Sequence, residues 1–249
     1  MMSETLMVEM LSKSNVLVLV PALNEEGSVG AILENLIQHN FHVLLISDGS
    51  TDATADIGRR IGVSVLELPI NLGVGGALRA GFKFAERKRY EAIVQVDADG
   101  QHPSEEIENL IATANSAGAH MVIGSRFLSE TATLRVSGIR RIAMKMLSSS
   151  ASAAAGSPIS DSTSGFRLIR QPLLGQFALQ FANNYLGDTY ESVISAGRGN
   201  YSIIEIPASL RPREIGESSA STSSAFRFTL KGLGVAFLRM HKKLQIFSD

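Results

Sequence analysis

The chain has no cysteine among its 249 residues. Disulfides and thiolate metal centres are therefore excluded, and the composition fits a reducing compartment. An excess of charge of one sign is also missing. Its 23 basic and 24 acidic residues leave a formal net charge of −1, so nucleic acid is not an expected partner. No stretch approaches the roughly 18 consecutive apolar residues of a membrane span. Residues Met1 to Asn15 carry acids and lack an unbroken apolar core, so they do not read as a secretory signal. The expectation is a cytoplasmic protein, soluble or peripheral to a membrane. The length suits one large α/β domain or two small ones, with ample core.

What the chain does have is regular alternation of strand and helix patterns. Val16 to Val20 is a continuous β-branched and leucine run, as expected of a strand buried on both faces. After Pro21-Ala22-Leu23-Asn24-Glu25-Glu26 comes a helix with Val29, Ile32, Leu33, Leu36 and Ile37 on one stripe. A second strand, Val43 to Ile46, runs into Ser47-Asp48-Gly49-Ser50-Thr51-Asp52. Ser50 or Thr51 is the expected cap of the next helix, and Gly62 its end. Then follow a strand from Val63 to Leu68, a helix through about Arg89, the strand at Ile93 to Val96, a helix over 103–117 and a strand over 119–123. The pattern predicts a doubly wound, mostly parallel α/β sheet.

Three of these strands end in polar residues: Asn24 and Glu25, Asp48, and Asp97 with Asp99. The carboxyl edge of an open parallel sheet is where ligands bind. The most informative stretch is Ile93-Val94-Gln95-Val96-Asp97-Ala98-Asp99-Gly100-Gln101-His102-Pro103. A period of two would bring Asp97 and Asp99 out of the strand on one side, with Ala98 leaving room for a ligand to approach the backbone. Two neighbouring carboxylates repel unless they share a proton or a cation. Their oxygens suit Mg²⁺ or Mn²⁺, and those ions suit a diphosphate. His102, at a helix start beside Pro103, reads as structural rather than as a ligand.

Two nucleotide signatures are absent. In Gly73-Val74-Gly75-Gly76, Leu78 stands where a third glycine of a dinucleotide fingerprint belongs, and no Walker lysine follows. These glycines read instead as a tight turn that lets the next helix pack closely.

Taken together, Pro21-Ala22-Leu23-Asn24-Glu25, Asp48-Gly49-Ser50-Thr51-Asp52, Asn71-x-Gly73, Asp97-Ala98-Asp99-x-Gln101-His102-Pro103, Gly124-Ser125-Arg126 and Asp161-x-x-Ser164-Gly165-Phe166-Arg167 resemble the family-2 inverting glycosyltransferases of GT-A fold, specifically the dolichyl- or polyprenyl-phosphate mannosyl- and glucosyltransferase branch. The resemblance spans residues 15–220. It implies transfer of a sugar from a GDP- or UDP-sugar to a lipid phosphate or another lipid-linked acceptor. Carried over by position, Pro21, Ala22 and Glu25 line the nucleotide pocket and Asp48 bonds the base. Asp97 and Ala98 sit by the ribose and diphosphate, and Asp99 with Gln101 holds the cation. Arg126 lies near the sugar and the acceptor phosphate. Asp161 is the candidate general base or acceptor-orienting acid, with an N-cap or a partner for Arg167 as its structural alternative.

Past residue 130 the pattern is less regular. Residues 131–157 scatter Arg135, Arg140, Arg141 and Lys145 through a Ser/Ala-rich stretch. This is the composition of a flexible segment or loosely packed helix, or of a cationic helix in which Arg140 meets a phosphate. Tyr201 to Ile206 reads as a strand. Beyond it, Arg213, Gly216 and Ser218 match the family's diphosphate-closing Arg-x-x-Gly-x-Ser-Lys, but Ser219 replaces the lysine. From Ser224 to Phe247 apolar and basic residues alternate, as in a helix lying in a membrane interface, packed on the domain or forming a dimer contact. The expected organisation is a flexible start over 1–14, a GT-A domain over 15–222 and a basic amphipathic helix over 223–249. The alternatives are a sugar-phosphate nucleotidyltransferase, which should carry a Gly-rich basic loop where Pro21-Ala22-Leu23-Asn24-Glu25 stands, and a non-catalytic nucleotide-sugar-binding protein.

Overall fold

The structure, a computed structural model, describes residues 9–128, 138–181 and 188–209. Its elements run in the order β1 (Val16–Ala22), α1 (Val29–Gln38), β2 (His42–Asp48), α2 (Thr54–Ile61), β3 (Ser64–Leu68), α3 (Gly73–Arg87), β4 (Ala92–Gln95), α4 (Glu105–Ala117), β5 (Met121–Ser125), α5 (Gly138–Ala155), β6 (Arg167–Arg170), α6 (Leu173–Gln180), α7 (Asp188–Arg198) and β7 (Ile203–Pro207). Among the described residues the strands form one sheet of order β3-β2-β1-β4-β6-β5-β7. Every neighbouring pair is parallel except those made by β6, which runs antiparallel to both β4 and β5.

Alternation along the strands builds two cores. In β1, Leu17 and Leu19 face α3, α5, α6 and α7, while Val16, Val18 and Val20 face α1, α2 and α4. Strands covered on both faces have no polar side to show, which is why Val16 to Val20 is apolar without interruption. The first helix buries Val29, Leu33 and Leu36 of its predicted stripe, and Ile37 at the stripe's edge stays 39% exposed. Gly62 ends α2 in the left-handed region at φ +91°, as expected of a glycine cap.

Several expectations need correction. The start of α2 carries no cap from Ser50 or Thr51; Asp52 Oδ1 accepts the Thr54 N–H at 3.0 Å instead, and the two hydroxyl residues bond a neighbouring loop. Gly73 makes the turn into α3 at φ +76°, as expected, while Gly75 and Gly76 lie in the helix's first turn. Close packing of that helix on the sheet belongs to Gly81, where a Cβ would come within 2.7 Å of Ile46 and 2.8 Å of Leu19. The Ser/Ala-rich stretch is a helix, α5, held tightly: Leu147 and Ala151 are buried, and a side chain at Gly197 of α7 would run into the Ala154 carbonyl. Small residues there allow close helix approach, so their composition records packing and not looseness. Residues 9–14, expected to be flexible, are fixed by Leu11, which is buried and exchanges two backbone hydrogen bonds with the Asn115 amide at 2.8 and 2.9 Å.

The strand β6 was not legible in the sequence, and it decides where the site lies. Arg167, its first residue, is registered opposite Gln95, the last residue of β4, and Ile123, two residues before the end of β5. Because β6 runs backwards, the segment 161–166 that leads into it lies at the carboxyl ends of β4 and β5.

Candidate active site

At the carboxyl edge, β1 outlasts its neighbour. Its ladder with β4 ends at Leu19 opposite Gln95, while its ladder with β2 continues through Pro21 and Ala22. The edge of β1 facing β4 is thus unpaired at Pro21, where a residue without an N–H costs no ladder bond. Strands on either side of this point lead away in opposite directions, β2 and β3 one way, β6, β5 and β7 the other. This is the switch point at which such sheets open a crevice.

The loops after β1 and β2 lace each other reciprocally. Asn24 N–H donates to Ser50 Oγ (3.1 Å), and Asn24 Oδ1 accepts the Thr51 N–H (2.8 Å). Glu25 N–H donates to Thr54 Oγ1 (2.8 Å). Glu26 N–H donates to Asp52 Oδ2 (3.1 Å), and Glu26 Oε2 accepts the Ala53 N–H (3.0 Å). Asn24 takes φ +54°, a conformation asparagine tolerates better than most residues. Asp48, 4% exposed, accepts the Leu72 N–H at 2.8 Å. Gly49 beside it has φ +71°, and a Cβ there would lie 2.5 Å from the Asn71 nitrogen. The Asn71-x-Gly73 segment therefore lies directly against the end of β2.

The acidic stretch is not strand. The strand β4 stops at Gln95, and Asp97 to Gly100 form a turn with Gly100 at φ +76°. The two carboxylates are therefore placed by turn contacts and not by strand pleat. Asp99, 8% exposed, accepts the Gln101 N–H at 3.1 Å. The Asp97 carboxylate is 41% exposed and accepts from Gln95 Nε2 at 3.3 Å. His102 is structural, as expected: its ring is 4% exposed, stacks on Phe166 at 5.0 Å, and accepts the Asp97 N–H at Nδ1 (3.0 Å). That bond puts the ring proton on Nε2, 3.8 Å from Asp97 Oδ2. Ser28, which no sequence pattern singled out, ties this turn to the first loop. Its hydroxyl lies 2.8 Å from both Glu25 Oε2 and the Ala98 carbonyl.

Across the crevice, Asp161 and Arg126 form a two-pronged ion pair. Arg126 Nε and Nη2 reach Asp161 Oδ2 and Oδ1, each at 2.7 Å, and Nη2 also meets Thr163 Oγ1 at 3.0 Å. The Arg126 N–H adds a third bond to Oδ2 at 3.2 Å. Asp161 thus pairs with Arg126 and not, as the structural alternative had it, with Arg167. Arg167 instead donates to the Ser164 and Ser162 carbonyls and to Thr189 and Ser192, pinning the loop from beneath. Burial pushes the Asp161 carboxyl up, but hydrogen bonds and charge from Arg126 overcome it and hold the group below the usual carboxylate range. The Arg126 guanidinium is raised by its bonds to Asp161, against burial, with the charges of Asp161 and Asp97 adding to the effect. The Asp97 contribution places the acidic turn and the arginine in one electrostatic field.

Gly165 lets the Asp97 carboxylate lie directly against the loop that leads into β6. A Cβ there would come within 2.8 and 3.1 Å of the two Asp97 oxygens and 3.1 Å of Gln95 Nε2. Gly165→Ala is expected to push the Asp97 carboxylate off this backbone, lowering transfer about 10-fold or more, while melting shifts only a few degrees. Equal losses of melting temperature and activity in Gly165→Ala, with no change specific to catalysis, would contradict this role.

All the oxygens that the acidic turn offers are hard donors, suited to Mg²⁺ or Mn²⁺. Among the described residues no three acidic or histidine side chains gather into a complete cage. The donor set therefore fits an ion that draws its remaining ligands from a diphosphate and water, as Mg²⁺ commonly does. Gln101 lies next to Asp99 through its backbone N–H. Arg140 and Arg141 lie on α5, but their side chains, like Arg213, Ser219 and the whole stretch 223–249, fall outside the described residues.

The sheet order, the antiparallel β6 and the acid–arginine crevice define a GT-A glycosyltransferase fold. The same fold is seen in glucosyl-3-phosphoglycerate synthase from Mycobacterium tuberculosis, crystallised with Mn²⁺, UDP-glucose and phosphoglyceric acid, at a TM-score of 0.70 and 18% identity over 90% of this chain and 80% of that one. The chain belongs to glycosyl transferase family 2, whose pattern it matches over residues 17–177. It is 30% identical to polyprenol monophosphomannose synthase of Mycolicibacterium smegmatis, covering 84% of this chain and 82% of that protein. To the UDP-N-acetylglucosamine–dolichyl-phosphate N-acetylglucosaminyltransferase of Methanococcus voltae it is 26% identical, over 76% and 82%.

Proposed function

We propose that the protein transfers a hexose from a GDP- or UDP-sugar to a polyprenyl or dolichyl phosphate, or to another lipid-linked acceptor, with inversion at the anomeric carbon. The observation that carries this reading is the Arg126–Asp161 pair set beside Asp97 at the switch point of the sheet. Relatives named for polyprenyl- and dolichyl-phosphate sugar transfer support the acceptor class. In the reaction an acceptor phosphate oxygen attacks the anomeric carbon, the bond from that carbon to the β-phosphate oxygen breaks, and the nucleoside diphosphate leaves. A phosphate is already ionised at neutral pH, so no strong base is required. Asp161, with both oxygens engaged by Arg126, serves as an orienting acid. Arg126 offers its remaining N–H groups to phosphate oxygens, where an arginine is worth most in a dry cleft. A divalent cation held by Asp99, with Asp97 and Gln101 close by, would supply charge neutralisation for the leaving diphosphate. Pro21, Ala22 and Glu25 form the nucleotide wall, Ala98 lies by the ribose, and Arg213 closes over the diphosphate.

Asp48 gives the test of the donor pocket. Asp48→Ala should raise the donor KM about 10-fold and weaken discrimination between GDP- and UDP-sugars while kcat changes little. A loss confined to kcat would assign Asp48 another role.

Among the described residues no helix is long and apolar enough to cross a membrane. We assign contact with the lipid surface to the basic, apolar stretch after Ser224, joined by Arg140 for the acceptor head-group. Each basic side chain near an anionic surface contributes on the order of 1 kcal/mol, so the attachment should be reversible and salt-sensitive. The full chain should co-sediment with phosphatidylglycerol vesicles at low salt and release at high salt, and a chain truncated at Ser224 should bind less. Equal sedimentation of the truncated chain would overturn that assignment, and a shift from dimer to monomer would give the stretch to self-association.

A further inference from the structure

Behind the ion pair stands a carboxylate that no motif includes. Glu205 lies in the middle of β7, in the otherwise apolar run Ile203-Ile204-Glu205-Ile206, an unusual place for an acid. Its two oxygens each accept a backbone N–H from the turn that carries Asp161: Oε2 from Ser160 at 2.7 Å and Oε1 from Asp161 at 2.6 Å. The same turn is fixed from β5 by the Ser125 and Ser160 hydroxyls, 3.0 Å apart. Glu205 is registered opposite Ile123 in β5, two residues before the strand's end and three before Arg126.

From this geometry we infer that Glu205 is a positioning residue for the transfer step, setting the Arg126 guanidinium through the backbone of Asp161. Both ends of the ion pair are thereby referred to the same two strands: Arg126 follows β5 directly, and Asp161 is hung from β7 by Glu205. A carboxylate suits this task because it accepts two converging N–H bonds, and charge-assisted bonds of this length are strong. An amide offers one acceptor and would confront the second N–H with its own donors. Glu205 also lines a cavity of about 420 Å³ bounded by α5, residues 157–160 and β7, so the turn has open space on one side, where Glu205 accepts its Ser160 and Asp161 N–H groups. The inference rests on the proposed role of Arg126.

The test is a double-mutant cycle on the full chain, with undecaprenyl phosphate as acceptor and a panel of GDP- and UDP-sugars as donors. Glu205→Gln should lower kcat about 10-fold while the donor KM stays within about 2-fold, since the base pocket at Asp48 lies at the other end of the crevice. In an Arg126→Ala background the same change should cost less than 2-fold, because the group it positions is gone. Equal losses in both backgrounds, or no loss in either, overturn the inference. Should Glu205→Gln fail to fold, Glu205→Asp enters the same cycle. The Arg126 Nε–H resonance is a readout independent of activity, expected to be protected from exchange in the wild type and to lose that protection in Glu205→Gln; retained protection overturns the inference. If Arg126→Ala alone leaves transfer intact, the proposed role of Arg126 fails, and the resonance still decides whether Glu205 places it.

Discussion

Replacing Asp161 by asparagine is expected to lower both stability and transfer, with a pH signature that identifies the cause. The substitution turns one half of a two-pronged acceptor into a donor facing Arg126 Nε and Nη2. Removing one partner of a fully buried pair costs about 3–5 kcal/mol. Arg126 is 35% exposed, so water recovers part of this, leaving about 2–3 kcal/mol and a fall in melting temperature of about 5–10 °C at pH 7. Transfer should fall about 100-fold as the arginine loses its fixed orientation. The Asp161 carboxyl titrates lower in the folded chain than in the unfolded one. Its stabilising effect is therefore complete above the unfolded value, about 3.9, and is lost as pH falls through the lower folded value. The gap in melting temperature between wild type and Asp161→Asn should be full at neutral pH and narrow below about pH 4. A gap that is constant down to pH 3 would mean the carboxylate contributes by shape and not by charge.

Asp99→Ala should have the larger effect on chemistry and the smaller one on the fold. The side chain sits in a turn whose backbone is independently set by Gly100 and by His102 on the Asp97 N–H, so the turn should survive its removal. Titration of UDP and GDP by calorimetry, with and without Mn²⁺, should show that the metal-dependent part of the affinity disappears. Transfer should drop by about 1,000-fold or more, because the cation proposed to neutralise the leaving diphosphate then loses its Asp99 ligand. Mn²⁺-dependent binding that persists unchanged would remove Asp99 from the metal site.

The sequence reached the first half of this fold almost strand by strand, for a simple physical reason. Local patterns there coincide with local structure: apolar runs are strands, 3.6-residue stripes are helices, and polar residues follow β1, β2 and β4 at the carboxyl edge. Its failures came where a side chain's partner is distant along the chain. Ser50 and Thr51 looked like helix caps because capping is the local use of a hydroxyl, yet they bond Asn24, more than twenty residues earlier. Asp97 and Asp99 looked like strand residues because β4 leads into them, but a turn places them. The pairing of Asp161 with Arg126 spans 35 positions and has no periodicity to announce it. In β6, four residues alternate Arg-Leu-Ile-Arg with both arginines buried, a pattern that a rule of polar outside and apolar inside cannot read as strand.

The placement of β6 also constrains the order in which the molecule can be built. The strands β4 and β5 follow each other with only α4 between, yet they never touch, because β6 fills the slot between them and arrives more than forty residues after β5. Until then a growing chain holds two apolar strands, Ala-Ile-Val-Gln and Met-Val-Ile-Gly-Ser, each with an open edge toward the vacant slot. Such edges invite pairing with the wrong strand, and closing them requires a contact of long sequence separation, which slows folding. Asp48 and Asp97 are thus synthesised well before Asp161 and the strand that follows it are in place. A chain interrupted before residue 167 would carry the acids of the crevice without the strand that completes it. The sheet is completed later still, when β7 pairs with β5 and brings Glu205 to the turn that carries Asp161.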